Sequence, residues 1–195
     1  MSYIDHTSLI IAVLASYLIG SIPFAYLAAR IMGVDVFTIG TGNPGAANIF
    51  RTVSRPLGIA VFTMDAAKGA AGVVIARLLG VPDDLAMLGG FAAVAGHFAP
   101  VLNSFRGGAG LATAIGAGVT ISAIPGLIAF FAGLAGFVAL RSSGPSAAVL
   151  LVALILSSII LDDGYAVVMG AAGLAAMVGI RKLLVDLISS RRKNN

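Results

Sequence analysis

Thirty consecutive positions, 111 to 140, carry no charged side chain. That is longer than the roughly 20 residues a helix needs to cross the hydrocarbon core of a bilayer. The stretch contains Pro125-Gly126, so it is read as two short spans divided there. Further apolar stretches lie at about 8–29, 57–79, 85–104, 145–161 and 164–180. Seven membrane helices follow, or six if the Pro125 region is one kinked or re-entrant span. Backbone groups in lipid must bond internally, so the expected architecture is an all-α bundle, one integral membrane domain over residues 1–195.

Charge agrees with that class. Charged residues make up 10% of the chain, against about 25% in average soluble domains. Seven spans gather Arg30, Arg51, Arg55, Arg106, Arg141, Arg181, Lys182, Arg191, Arg192 and Lys193 on one side. Arg77 falls on the other, with Asp83, Asp84, Asp162 and Asp163. The positive-inside rule then predicts a cytoplasmic C-terminus and an N-terminus outside. The opening "MSYIDH" lacks the positive region of a signal peptide, so the first span is expected to stay as a helix. The cations are scattered over loops and the tail, which does not suit nucleic acid. With no cysteine there is no thiolate chemistry, and neither a metal set nor a cofactor motif is read from the chain.

Most of the 25 glycines suit close helix packing. Two clusters sit instead among polar residues in loops. In "TIGTGNPGAANIFRT" (38–52), Gly40, Gly42 and Gly45 match G-x-G-x-x-G, but no strand precedes them and no dinucleotide-binding unit surrounds them. Thr41, Asn43 and Asn48 offer neutral donors there, and Arg51 offers a planar fork for phosphate. The same residues also make an ordinary turn. In "FRGGAG" (105–110), Arg106, Gly107, Gly108 and Gly110 precede an expected helix whose N-terminus favours anions, with Thr113 one turn on. A plain connector reads equally well.

Polar residues also enter the spans. Asp65 and Lys68 are three apart and share a helix face, where pairing offsets the cost of charge in lipid. His97 has no carboxylate or cysteine neighbour in sequence to make a metal site. Ser21, beside Ile22-Pro23, marks a bend in the first helix.

The order and spacing of "GSIPFAYL", "GTGNPGAANIFRT", "DAAKG" and "GHFAPVLNSFRGGAGLAT" resembles the bacterial acyl-phosphate:glycerol-3-phosphate acyltransferase family, most specifically over residues 16–120. The resemblance implies a seven-helix enzyme of the bacterial cell membrane with a cytoplasmic site. Its substrates would be acyl phosphate and glycerol 3-phosphate, and its products lysophosphatidic acid and phosphate. It implies phosphate or substrate contacts at Thr41, Asn43, Asn48, Arg51, Lys68, His97, Arg106, Gly107, Gly108, Gly110 and Thr113, with Ser21 and Asp65 in support. No residue is assigned as nucleophile or base, because an acyl phosphate is already activated.

The chain departs from the family pattern in places. Ala109 stands where the family has a lysine, Ala47 where it has threonine, Phe37 where it has arginine and Thr41 where it has serine. The last family motif is reduced to "AMVGIRKLL" (176–184), and no glutamate occurs anywhere. Arg106 and Arg181 are the expected substitutes for the missing phosphate contacts. Two other readings remain: a weak or inactive paralogue that binds phospholipid or acyl phosphate beside a partner acyltransferase, and an anion transporter. The transporter reading predicts internal repeats, and none is visible.

Overall fold

The computed structural model describes residues 5–140, 143–162 and 164–193, and every regular element among them is helical. In chain order these are α1 (His6–Gly20), α2 (Phe24–Ile31), α3 (Ala46–Thr52), α4 (Arg55–Leu78) and α5 (Asp83–Phe98). A 3-10 turn (Val101–Asn103) follows, then α6 (Leu111–Ile121), α7 (Ala123–Leu140), α8 (Ser143–Ile160) and α9 (Tyr165–Lys193). Four segments are long and apolar enough to cross a membrane: His6–Ile31, Arg55–Leu78, Asp83–Asn103 and Ala123–Leu140. Leu111–Ile121, Ala148–Ile160 and Tyr165–Arg181 are shorter apolar helices. Arg141, Asp163 and the first four residues of "MSYIDH" lie outside the described residues.

Local chemistry explains the helix starts. Asp5 caps α1, its carboxylate accepting from the Thr7 N–H at 3.0 Å. Ser54 caps α4, with Pro56 in the first turn where no intrahelical donor is required. The bend expected at Ser21 is a full break between α1 and α2. Pro23 lacks an N–H, and the Ser21 hydroxyl donates back to the Tyr17 carbonyl at 2.8 Å.

Two expectations need correction. The division of the uncharged stretch falls at Ser122, which is extended, and not at Pro125. Pro125 sits in the first turn of α7, where its missing donor is one of the unpaired N–H groups anyway. The first glycine cluster is not all loop, since α3 forms within it.

At about 1.5 Å per residue, the 16 residues of α5 reach about 24 Å and the 11 of α6 about 16 Å. Their ends are level at one side, because Arg77 pairs with Asp83 at 2.8 Å and donates to the Thr120 carbonyl at 2.8 Å. The shorter helix therefore begins below the far end of α5. The glycine loop before it folds back along α5, and the Gly108 N–H donates to the His97 carbonyl at 3.2 Å.

The centre of the bundle is built on close backbone approach. Gly72 of α4 and Gly89 of α5 face each other so tightly that a Cβ on either would run into the carbonyl oxygen of the other. Ser16 of α1 donates to the Gly72 carbonyl at 3.1 Å, which brings a third helix onto the same crossing. Gly89→Val is expected to cost about 1–3 kcal/mol through overpacking, seen as a lower Tm in detergent. Gly179→Ala, at an exposed helical position with open space around its Cβ, is expected to leave Tm unchanged or slightly raised.

Candidate functional site

The helix break at Ile22-Pro23 leaves a carbonyl pointing into the bundle, and Lys68 of α4 donates to it at 2.9 Å. The same ammonium lies 2.8 Å from Asp65 Oδ1, one helical turn earlier. It also sits 5.5 Å from the centre of the Phe24 ring. Lys68 is 4% exposed and Asp65 1%, so this is a buried pair. Such a pair persists when each partner has further ligands. Here Ile22 O is the second ligand of Lys68, and His97 Nδ1 lies 3.5 Å from the carboxylate.

His97 comes from the last turn of α5 and is 7% exposed. Its other nitrogen faces the glycine loop. A Cβ on Gly108 would lie 2.6 Å from His97 Nε2 and 2.7 Å from the Pro44 carbonyl. Only glycine passes between the histidine and the first polar cluster at that point. Gly107 is equally confined by the carbonyls of His97 and Phe98. Arg181 of α9 reaches the same loop from behind, its Nη2 lying 3.2 Å from the Gly107 carbonyl and 3.4 Å from that of Phe98.

A narrow polar cleft results. Asp65, Lys68, His97, Arg106, Gly107 and Gly108 line it, together with Pro44 and the α1–α2 break. It carries cations, backbone amides and one carboxylate already paired to lysine, and its interior has room for about one water, so an anion is met at its mouth, beside Arg106. Beside it runs an apolar groove of about 280 Å³ between α3, α4, α6, α7 and α8. Ala46, Ala47, Phe50, Phe62, Leu111 and Phe137 are among its walls. Pro44 belongs to the cleft and Ala46 to the groove, while Gly108 belongs to the cleft and Leu111 to the groove. Two short chain segments, 44–46 and 108–111, therefore partition the polar space from the apolar one. Ala109 stands in the second of them, half-buried.

The structure places the other sequence candidates elsewhere. Asn48 is 4% exposed and its amide is spent on the fold: Nδ2 donates to the Ile39 carbonyl at 3.1 Å, and Oδ1 accepts from the Thr41 N–H at 3.1 Å. Thr41 is exposed and Asn43 half-buried, on the loop that Asn48 holds. Thr113 is fully buried where α6 meets α4 and does not line the cleft. Gly110 has left-handed backbone (φ 70°), and no side chain caps the helix it opens. Ser21 is fully buried behind the break. Arg51 is exposed at the groove's edge, its guanidinium 5.4 Å from the centre of the Phe137 ring.

Sequence reasoning missed the Ile22 carbonyl, Pro44 and the groove itself. The signal for the groove was present in four phenylalanines, Phe50, Phe62, Phe130 and Phe137, but they come from three helices that only tertiary packing joins.

Comparison with known proteins gives a consistent likeness. The model of the glycerol-3-phosphate acyltransferase family matches residues 10–189. The glycerol-3-phosphate acyltransferase of Geotalea daltonii is 43% identical over 123 residues, covering 63% of this chain and 63% of that protein. The one from Cereibacter sphaeroides is 37% identical over 175 residues, covering 89% of this chain and 82% of that protein. Among the curated relatives matched, this chain spans 63% of the length of the Geotalea protein and 52% of that of glycerol-3-phosphate acyltransferase 4 of Dehalococcoides mccartyi. The crystal structure of PlsY (YgiH), an integral membrane glycerol 3-phosphate acyltransferase in its glycerol 3-phosphate form, superposes with a TM-score of 0.83 at 30% identity, over 94% of each chain. Its lysophosphatidic acid form gives 0.82.

Lys68→Met would strand the Asp65 carboxylate in the bundle and is expected to destabilise the protein by about 3–5 kcal/mol. Adding Asp65→Leu removes the stranded charge and is expected to recover most of that loss. Thermal unfolding of the two variants in detergent checks both values.

Proposed function

Since the chain belongs to the glycerol-3-phosphate acyltransferase family, we propose that it transfers a fatty acyl group from an acyl phosphate to glycerol 3-phosphate. The observation that carries the reading is the polar cleft set back to back with an apolar groove across the partition at 44–46 and 108–111. The two substrates have those two characters: a small water-soluble phosphate monoester and a long apolar chain ending in an acyl phosphate. Glycerol 3-phosphate enters at the mouth of the cleft, where Arg106 and the glycine-loop amides neutralise and hold its phosphate, with the Lys68–Asp65 pair behind them. The acyl chain lies in the groove, and its carbonyl sits at the partition.

The chemistry then needs position more than protein nucleophiles. The 1-hydroxyl oxygen of glycerol 3-phosphate bonds to the acyl carbon while the bond from that carbon to the phosphate oxygen breaks. Phosphate leaves with the electron pair, and the hydroxyl proton ends on it as hydrogen phosphate. Lysophosphatidic acid is the other product. Holding two anions together in a water-poor site supplies proximity and charge stabilisation, the two largest contributions such a reaction asks for. His97 and Asp65 hold the polar wall in register, with Asp65 also fixing Lys68.

The same proposal places residues 1–195 as one membrane domain in the bacterial inner membrane. All seven apolar segments cross it, with the N-terminus outside and the C-terminus and cleft in the cytoplasm, where glycerol 3-phosphate is available. One observation favours a second reading, a weak or inactive lipid-binding paralogue that works beside another acyltransferase. Ala109 brings no charge to the partition.

Protein in lipid vesicles with palmitoyl phosphate and radiolabelled glycerol 3-phosphate is expected to form lysophosphatidate. Arg106→Ala is expected to lower kcat/KM by about 10–100-fold, the scale of a charge-assisted phosphate contact. No product from the unmodified chain, where an intact family member succeeds, would favour the second reading. Leu134→Trp, which fills part of the groove wall, is expected to shift preference towards shorter acyl phosphates in the same assay.

A further inference from the structure

Arg106 is held by more than its loop requires. The two residues before it, Ser104 and Phe105, both have left-handed backbone (φ 50° and 60°), which is sparsely populated for residues with side chains. Three hydrogen bonds keep that turn: the Phe105 N–H to the Pro100 carbonyl at 2.9 Å, the Arg106 N–H to the Asn103 carbonyl at 3.0 Å, and Asn103 Nδ2 to the Arg106 carbonyl at 2.8 Å. Strain of this kind persists only where the surroundings over-determine it, and it concentrates at functional positions.

The guanidinium that this turn presents lies over the ring of Phe37, its central carbon 3.6 Å from the ring centre. That is face-on stacking at van der Waals distance. Phe37 in turn packs on Tyr26, with ring centres 6.1 Å apart, and Arg30 lies 5.8 Å above the Tyr26 ring. The result is a four-membered ladder, Arg30, Tyr26, Phe37 and Arg106, contributed by α2, the residue just before the first polar cluster, and the glycine loop. It forms one wall of an open polar cleft of about 600 Å³, which shares Tyr26 and Arg106 with the narrow cleft behind it. Arg106 therefore stands where the narrow cleft opens to the outside.

We propose that Phe37 is a positioning residue for Arg106, its ring face fixing the guanidinium at the mouth of the cleft and so setting the affinity for a phosphate monoester entering there. An exposed arginine otherwise samples many rotamers, and each bond it makes to an anion must first offset that freedom. Stacking removes the freedom before the ligand arrives while leaving the donor edge of the guanidinium free. A phenylalanine in place of a cation thus still serves the phosphate, through the arginine beside it. The proposal rests on the acyltransferase reading given above, and its test separates the two.

The test is a double-mutant cycle on lysophosphatidate formation, with Phe37→Leu, Phe37→Trp, Arg106→Ala and the double variant Phe37→Leu/Arg106→Ala. Side-chain NMR of arginine-labelled protein accompanies it. Phe37→Leu is expected to raise the KM for glycerol 3-phosphate about two- to fivefold with kcat little changed, the scale of an exposed cation–π contact. Phe37→Trp is expected to restore the KM. In the Arg106→Ala background, Phe37→Leu is expected to add nothing. The Arg106 guanidinium resonances are expected to show an aromatic ring-current shift that Phe37→Leu abolishes. An equal loss from Phe37→Leu with and without Arg106, or a normal Arg106 shift in the unmodified chain, would overturn the positioning role while leaving the enzyme reading intact. An unmodified chain without activity would overturn the enzyme reading, and the role of Phe37 in it.

Discussion

One buried ammonium ties the structure together. Lys68 joins its own helix, through Asp65, to the carbonyl that the α1–α2 break exposes at Ile22. Neither partner would be tolerated alone in a bundle of this polarity. Pro23 prevents α1 and α2 from forming one helix, the break leaves a carbonyl facing inward, and lysine satisfies it. His97 joins from α5 through the same carboxylate. Three helical segments are thereby held around one polar point, and the glycine loop closes over it because Gly107 and Gly108 have no side chains to obstruct the approach.

The rest of the site depends on separation. The polar cleft and the apolar groove are divided by chain segments of only three and four residues, 44–46 and 108–111. Small residues there keep the partition thin, and Ala109 keeps it uncharged. On the function proposed, a substrate with an apolar chain and an anionic head lies on one side and a soluble phosphate ester on the other, with their reacting atoms meeting at the boundary. Arg181 braces the loop from α9, which gives that arginine a structural partner in the backbone carbonyls of Phe98 and Gly107.

Much of this was legible in the sequence. Apolar stretches of span length showed an all-helical membrane chain, and the i, i+3 spacing of Asp65 and Lys68 foretold their pairing. Arg106, Gly107 and Gly108 do meet Lys68 and His97 at one cleft. Other features were hidden because they depend on three-dimensional juxtaposition. Asn48 reads as a free donor, yet its amide holds the 36–41 loop. Thr113 reads as an anion contact one turn into its helix, yet the crossing of α6 on α4 buries it. Proline suggested the break in the uncharged stretch, but a proline in a helix's first turn is harmless, and the chain breaks at Ser122 instead. Phe37 is visible in sequence only as a departure from a family pattern; its contact with the Arg106 guanidinium appears only in the fold.

The central claim is that the cleft around Lys68, His97, Arg106 and the glycine loop receives the phosphate ester. A crystal structure grown from lipidic mesophase with saturating glycerol 3-phosphate tests it most directly. The account predicts phosphate density within hydrogen-bond distance of Arg106 and the 107–108 backbone, with the glycerol hydroxyl directed to the partition beside Ala109. Density only at the groove's edge beside Arg51, or none in the cleft at saturation, would contradict it.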